Sequence, residues 1–372
     1  MEDKELALRS QKNKLDLWFI ATAIFLVLFG LLVIYDATII TAYRDFGDKF
    51  YYFKNQLVWA SVGITALICF SIIDYHKLLR ISWILLLFTI FLLIIVLIPQ
   101  VGTQALGARR WISIGNFNFQ PSEIAKLALI FYATAILSKA EKYKVRFIDA
   151  AIVFFLPLLV IVGLILLQPD LGTALILVAI LLSVYFIGKA TLWHFILIVP
   201  VMIIVSIAAI IIEPYRVARL KTFLNPQHDP LGASYQINQI LSAISSGGLL
   251  GVGIGASRSK FAFIPEIQSD AIFAVIVEEL GFIGAIFLMS LFLFLIVRAL
   301  NIAQNAKDSS GKILAMGLVS LLSVQILFNL ASNVALVPLT GIPLPFISYG
   351  GSSLVVTMIS IGILVNIKKQ NL

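Results

Sequence analysis

Residues 17–35 read Leu-Trp-Phe-Ile-Ala-Thr-Ala-Ile-Phe-Leu-Val-Leu-Phe-Gly-Leu-Leu-Val-Ile-Tyr, an apolar run with no charge and no polar face. A bilayer core takes roughly 20 such residues per helical crossing, whereas a barrel strand would alternate apolar and polar residues over about ten. The stretch predicts a transmembrane helix. Nine further runs of the same kind lie between charge clusters, at about 55–73, 79–98, 122–138, 148–169, 171–188, 191–212, 271–299, 313–336 and 348–367. The expected fold is all-α, a polytopic membrane protein with ten transmembrane helices. Composition agrees, with 60% apolar residues and only 27 Lys+Arg and 19 Asp+Glu among 372, against about 45–50% apolar and about 25% charged in a soluble domain. A lone Cys69 and the scattered His76, His194 and His228 leave disulfides, zinc clusters and thiol redox chemistry without their residues in one chain.

Charge sets the orientation. With the N-terminus inside, the inner segments hold Lys4, Arg9, Lys12, Lys14, Lys77, Arg80, Lys139, Lys142, Lys144, Arg146, Lys189, Arg298, Lys307, Lys312, Lys368 and Lys369. The short outer loops hold only Arg44, Lys49, Lys54, Arg109 and Arg110. Sixteen against five places both termini in the cytoplasm. The net charge of +8 then reflects topology and anionic inner-leaflet lipid, and no nucleic-acid partner is expected. The first run is a full span with no small-residue cleavage pattern after it, so it reads as a retained helix and not a cleaved signal. Residues 1–372 read as one membrane domain, without a linker or repeat. Its exception is the segment 213–270, too polar to span, which becomes a long extracytoplasmic loop between the seventh and eighth spans. Loops this long are usually functional, and this one reads as a mobile cover over an outer cavity. Within it Ile237, Ile240, Leu241 and Ile244 recur at helical spacing, marking an amphipathic helix that rests on the membrane or on the bundle. Five glycines between Gly247 and Gly255 lack the Gly-Lys-Ser/Thr ending of a phosphate loop and read as a close-packing turn.

Polar residues gather at one end. Glu123 opens the fourth span, Asp170 the sixth and Asp270 the eighth, all entering from the outer face. Each can simply cap its helix and complement the dipole. Their company says more: Arg109 and Arg110 precede the fourth span, Lys126 lies one turn inside it, and Arg216, Arg219 and Lys221 follow in the long loop. A cavity holding both carboxylates and cations suits an anionic, hydroxyl-bearing substrate. Lys126 also has a simple ion-pair partner in Glu123 at i−3, and Arg216 with Arg219 could instead snorkel to lipid phosphates. Glu278 and Glu279 point about 100° apart, so one of them is expected to face a given partner. Asn329 and Asn333 share a face and read as interhelical glue. Trp111, beside two arginines, is placed to stack on a sugar ring.

Several segments together resemble a known family. They are Gly107-Ala108-Arg109-Arg110-Trp111-Ile112, Gln120-Pro121-Ser122-Glu123-Ile124-Ala125-Lys126, Gln168-Pro169-Asp170-Leu171-Gly172-Thr173-Ala174 and the run from Pro338 to Ser353, PLTGIPLPFISYGGSS. In this order they resemble the shape, elongation, division and sporulation (SEDS) proteins over the whole chain. The resemblance implies ten transmembrane helices and a peptidoglycan glycosyltransferase that polymerises lipid II at the outer face of the bacterial cytoplasmic membrane. It also implies a single-span class B penicillin-binding protein as crosslinking partner, among other divisome or elongasome membrane proteins. Phe46-Gly47-Asp48 and the segment around Asn225-Pro226 and Gly232-Ala233-Ser234-Tyr235-Gln236 look closer to the division branch, FtsW, and its sporulation relative than to the elongation branch, RodA. Two positions depart from the pattern: Ala271 stands where the family usually has Phe, and Asp36 where it has Ser, an added carboxylate that reads as the end of the first helix.

The resemblance assigns Asp270, in Pro265-Glu266-Ile267-Gln268-Ser269-Asp270, as catalytic base. It would take the proton from the acceptor's 4-hydroxyl during inverting attack on the lipid-pyrophosphate-linked sugar. Pyrophosphate leaves without a strong general acid, so one carboxylate suffices where glycosidases need two; what it needs is positive charge. Lys126, Arg109, Arg110, Arg216 and Arg219 supply that, while Glu123, Trp111, Asp170, Glu266 and Ser269 complete the expected substrate contacts. No organic cofactor is required, and a divalent cation, Mg or Mn, would ride on the pyrophosphate without a dedicated motif. The alternative is a lipid II flippase, which should carry ionisable groups along the whole crossing; here they crowd at the outer ends. A pure scaffold would leave the buried lysine without a role.

Overall fold

A helix lies over each of the ten apolar runs in the computed structural model, which describes residues 16–105, 108–115, 117–140, 147–188, 192–225, 234–260 and 267–370. Helices α1 (Leu17–Phe46) and α2 (Tyr51–Ile72) are followed by a short α3 (Tyr75–Arg80) and α4 (Ser82–Ile95). Then come α5 (Pro121–Ala140), α6 (Phe147–Leu166), α7 (Leu171–Ile187) and α8 (Leu192–Ile212). Beyond α9 (Pro214–Leu224) and α10 (Tyr235–Ser246) stand α11 (Ile272–Gln304), α12 (Ser309–Asn333) and α13 (Gly351–Gln370). Six of these, α1, α2, α5, α11, α12 and α13, are long and apolar enough to cross a membrane; α4, α6 and α7 contain shorter apolar helices, and α8 turns through 102° into α9. Helix α1 shows why apolarity on all sides is tolerated. Phe19, Ala23, Leu26, Ile34 and Ala37 are buried at helical spacing, while Phe25, Leu28 and Leu32 are left exposed on the opposite face, as a lipid-facing surface requires. Asp16 caps its start, accepting from Phe19 N at 3.2 Å, and also ties Arg298 and Lys368 to that end of the bundle.

The all-α expectation needs one amendment. Residues 102–119 form a three-stranded antiparallel sheet, β1 (Gly102–Ala105), β2 (Ala108–Ile114) and β3 (Phe117–Phe119). Trp111, Ile112 and Ile114 are residue types that favour strands, and the charges of Arg109 and Arg110 had disguised the stretch as a loop. In the 213–270 segment the described parts are the two helices α9 and α10 with the irregular stretches 247–260 and 267–270. The amphipathic one rests on the bundle: Ile237 and Ile240 of α10 are buried, and Ile240 and Ala243 join Ala37, Ala271, Ala274 and Val275 in a small apolar cluster. Ala271, where a Phe was expected, is fully buried there. Residues 226–233 and Glu266 lie outside the described residues, as do eight of the sixteen inner cations: Lys4, Arg9, Lys12, Lys14, Lys142, Lys144, Arg146 and Lys189.

Helix α11 is broken at Gly281, whose φ of 67° is left-handed. A break strands carbonyls before it and N–H groups after it, and the glycine segment supplies their partners. Val252 N and Gly253 N donate to the carbonyls of Glu278 and Glu279 at 2.9 and 3.1 Å, while Phe282 N and Ile283 N donate to Gly248 O and Leu249 O at 2.9 and 3.2 Å. Side chains would prevent this approach, since a Cβ built on Gly251 would sit 2.0 Å from Glu279 O. Glu278 and Glu279 both engage the same neighbouring stretch, contrary to the expectation that one would. Glu278 accepts from Ser257 Oγ at 2.6 Å and from Arg258 N at 3.1 Å, and Glu279 accepts from Ser257 N at 3.2 Å. Lys260, itself buried, lies 3.1 Å from Asp36 and 3.4 Å from Glu279. Asp36 therefore does not end α1, which runs ten residues further to Phe46; it pairs with a lysine from the 213–270 segment.

Candidate active site

Asp270 lies immediately before α11 and is only partly buried. Its position is fixed through the backbone. Asn329 Nδ2 and Asn333 Nδ2, one turn apart on α12, both donate to the Asp270 carbonyl, at 3.0 and 2.9 Å. Asn329 Nδ2 also donates to Ile342 O at 2.8 Å, so the same amide joins Asp270 to the Pro338–Ser353 stretch. The residues before Asp270 are held by that stretch as well: Tyr349 N donates to Gln268 O at 2.8 Å and Ser348 Oγ to Ser269 O at 2.5 Å. A Cβ built on Gly341 would come 3.5 Å from Asp270 Oδ2, and Gly341 has φ +72°. Buried Phe346 is left-handed too, at φ 69°. For an aromatic residue that costs about 1–2 kcal/mol and persists only where packing over-determines it.

The loop between α12 and α13 is the hub on which the other expected residues converge. Arg219 of α9 donates from Nη1 to Leu339 O at 3.1 Å. Gly172, in the first turn of α7, packs so closely on the loop that a Cβ there would meet Thr340 O at 2.5 Å. Asp170 caps α7 through Thr173 N at 3.1 Å and Thr173 Oγ1 at 2.9 Å, as its place in the sequence suggested, and also receives Gln120 Nε2 at 3.4 Å. Gln120 N in turn donates to Ser352 Oγ of α13 at 3.0 Å, which sets the start of α5 beside the loop. One turn inside α5, Lys126 Nζ lies 2.7 Å from Glu123 Oε1, both side chains essentially inaccessible. Glu123 Oε2 and the neighbouring Ser122 Oγ are buried with no partner among the described residues. A buried ion pair with an acceptor left over is a costly arrangement.

A β-bulge at Arg110 distinguishes the two arginines. Arg110 turns inward, its Nε 3.0 Å from Gln168 O and its Nη1 3.9 Å from Asp170 Oδ1, and bonds Pro169 O as well. Arg109 and Trp111 pair in register with Gln104 and Thr103 across a β-bulge that leaves Arg110 between them without a partner on β1, and among the described residues neither side chain bonds the α12–α13 loop. Arg216 is drawn away from its i+3 neighbour: it is buried and donates to Ala209 O at 2.7 Å and Leu166 O at 3.2 Å, closing the ends of α8 and α6. The structure thus gathers Asp270, Ser269, Arg219, Asp170, Arg110 and, through Gln120, the Glu123–Lys126 pair around one loop. Arg216 is used instead at the helix ends, and among the described residues Arg109 and Trp111 make no bond to that loop. Asn329 and Asn333, read from their spacing as interhelical glue, are site-building residues, as are Gly341, Ser348 and the buried Gln56, which bonds Ser348 O and Gly350 N and which spacing did not single out. The one available signal was an amide pair on one helix face followed by an uncharged Pro/Gly-rich stretch.

Comparison with known proteins follows the same lines. The family described as "Cell cycle protein", comprising FtsW, RodA and SpoVE, matches residues 16–372. Stage V sporulation protein E of Bacillus subtilis is 37% identical over 97% of this chain and 99% of its own length. A probable peptidoglycan glycosyltransferase FtsW from Trichlorobacter lovleyi is 38% identical over 95% of this chain and 92% of its own. Among solved structures, a chain from a peptidoglycan synthase complex that coordinates polymerization and crosslinking superposes with a TM-score of 0.78 and 26% identity, over 96% of this chain and 98% of that one.

Proposed function

Because this chain belongs to the FtsW/RodA/SpoVE family and is a multi-pass membrane protein, we propose that it is a peptidoglycan glycosyltransferase polymerising lipid II at the outer face of the cytoplasmic membrane. In this reading all ten apolar helices cross the bilayer as one membrane domain, both termini are cytoplasmic, and the Asp270 end faces outward. Inner basic residues and the gathering of carboxylates and cations at the opposite end support that orientation. The observation that carries the activity is the anchoring of Asp270 by Asn329 and Asn333 to the 338–350 loop, where Arg219 and the first turn of α7 also meet. A base held by its backbone keeps its carboxylate in register with an acceptor hydroxyl, the positioning that general-base catalysis depends on.

Asp270 takes the proton of the acceptor 4-hydroxyl as the oxygen attacks the anomeric carbon, and pyrophosphate departs from the opposite side with inversion. Arg219, Arg110 and the Lys126–Glu123 pair set the field that offsets charge developing on the leaving group; Asp170 and Ser269 contribute hydrogen bonds to sugar and peptide. No organic cofactor enters this scheme. Among the described residues no group of three His, Cys, Asp or Glu is arranged to hold a metal ion; a divalent cation, Mg or Mn, would be carried on the pyrophosphate itself. The division role is favoured over elongation on relatives named FtsW and stage V sporulation protein E at 38% and 37% identity over nearly the full chain. A class B penicillin-binding protein is the proposed partner, in keeping with a structural neighbour drawn from a complex that couples polymerization to crosslinking. Reconstitution of the purified chain with fluorescent lipid II, alone and with such a partner, tests the assignment. Glycan polymer is the expected product; transbilayer movement of lipid II without polymer would establish the flippase instead, and neither product would leave a scaffold.

A further inference from the structure

The two ends of α12 serve different surfaces. Asn329 and Asn333 hold Asp270 at one end, while Ser310 at the other borders a crevice of about 550 Å³ between α3, α4 and α5. Nineteen residues of helix separate Ser310 from Asn329, ~28 Å at 1.5 Å per residue, so the crevice opens in the leaflet opposite the Asp270 site. Its wall is graded. At the outermost level stand His76, Arg80, Lys139 and Ser310; deeper in, Tyr132 lies two turns up α5, ~10 Å toward the middle of the bundle, with Trp83 on the lipid-exposed flank. The Tyr132 hydroxyl donates to Val153 O at 3.0 Å, which fixes its ring as part of the wall.

No carboxylate lines the crevice among the described residues. The nearby acids are already engaged, since Asp74 and Asp308 lie 2.8 and 3.2 Å from the two ring nitrogens of His76. That pairing satisfies the imidazole and leaves anion recognition to Arg80 and Lys139, both exposed. Cations at the aqueous rim, with Trp83 beside them and the Tyr132 ring ~10 Å beneath, reproduce the polarity profile of a phospholipid and not that of a free phosphate. Basic pockets between helices on the cytoplasmic side are suited to such headgroups.

We propose that this crevice binds an anionic phospholipid of the inner leaflet, with Arg80 and Lys139 on the phosphate and Trp83 and Tyr132 against the glycerol and first acyl carbons. The leaflet follows from the orientation proposed above, whereas binding does not depend on it or on the polymerase assignment. The test is native mass spectrometry of the detergent-solubilised full chain with phosphatidylglycerol or phosphatidylcholine of matched chains. Phosphatidylglycerol should be retained preferentially, and Arg80→Ala with Lys139→Ala should weaken it by roughly five-fold per cation. Lys369→Ala, an exposed cation at the same end but outside the crevice, should change nothing. Equal retention of the two lipids, full retention by the double variant, or an equal loss in Lys369→Ala would overturn the proposal. Displacement of phosphatidylglycerol by millimolar inorganic phosphate would overturn it too, by showing a free-anion site.

Discussion

Asn329→Asp tests whether the α12 amides position the base. The substitution keeps the side chain's size but replaces the Nδ2 donor with an acceptor, facing the carbonyls of Asp270 and Ile342 that it bonded at 3.0 and 2.8 Å. Asp270 O retains Asn333 at 2.9 Å, so that loss is one neutral hydrogen bond, about 1 kcal/mol. Ile342 O loses the Asn329 donor in a buried setting, about 1–3 kcal/mol. The sum, about 2–4 kcal/mol, should lower the thermal midpoint in detergent without abolishing folding. Catalysis should suffer more than stability. A shift of the base on the order of 1 Å costs ~10²-fold, and Asn333→Ala, which removes the second anchor of the same carbonyl, should be non-additive with it. Thermal unfolding and lipid II polymerisation are measured on the two single variants and the double. Normal polymerisation by the double variant, under conditions where Asp270→Asn is inactive, would refute the positioning role and return both residues to interhelical glue.

Three further outcomes are expected. Asp270→Asn keeps size and hydrogen-bonding capacity but removes basicity, and should cut polymerisation by ~10²-fold or more with an unchanged melting curve; normal turnover would remove Asp270 from the mechanism. Lys126→Met strands the Glu123 carboxylate in a site with almost no solvent access and should cost about 3–5 kcal/mol, whereas adding Glu123→Leu should recover most of the stability and none of the activity; equal melting of the single and double variants would show that the pair is uncoupled. At the opposite end of the bundle, burial works against a charged His76, but its hydrogen bonds to Asp74 and Asp308 outweigh this and raise its pKa above 6.5. Its stabilisation is therefore full below pH 6.5 and lost as pH rises through the raised value. Asp74 is affected oppositely: burial pushes its pKa up, yet hydrogen bonds from Gln370 and His76 bring it down to about 2. Its stabilisation is present above 3.8 and fades toward pH 2. His76→Gln should flatten the alkaline limb of a melting-temperature profile, and an unchanged limb would dismiss the linkage.

The spans were legible because apolarity is a local property: a run such as residues 17–35 declares its environment without reference to the rest of the chain. Helix starts were legible for the same reason, and Asp170 does cap α7. The α10 stripe was also visible, although Ala243, not Leu241, completes its buried face. What spacing could not show depends on contacts between distant residues. Asn329 and Asn333 bond a carbonyl 59 and 63 positions earlier, and nothing in their i, i+4 interval names that partner. Lys260 finds Asp36 across 224 positions, so Asp36 looked like a stop signal when read alone. The sheet was missed because two arginines precede the strand-favouring residues of β2. Arg216 and Arg219 share a face by spacing, but one reaches carbonyls at helix ends and the other the 338–350 loop.

The break at Gly281 divides α11 into two pieces, both tied by main-chain bonds to the glycine segment. The longer piece, a bundle helix, donates from Phe282 and Ile283 to Gly248 and Leu249. The shorter, from Ile272 to Leu280, accepts from Val252 and Gly253 and begins two residues after Asp270. Main-chain bonding is indifferent to side-chain identity but sensitive to register. Many substitutions at Leu249 or Val252 should therefore be silent, whereas inserting or deleting a single residue between Gly247 and Gly253 would slide every donor past its acceptor and drag the start of the helix with it. This stretch behaves as a ruler: its length, more than its chemistry, determines where the first turn of α11 stands.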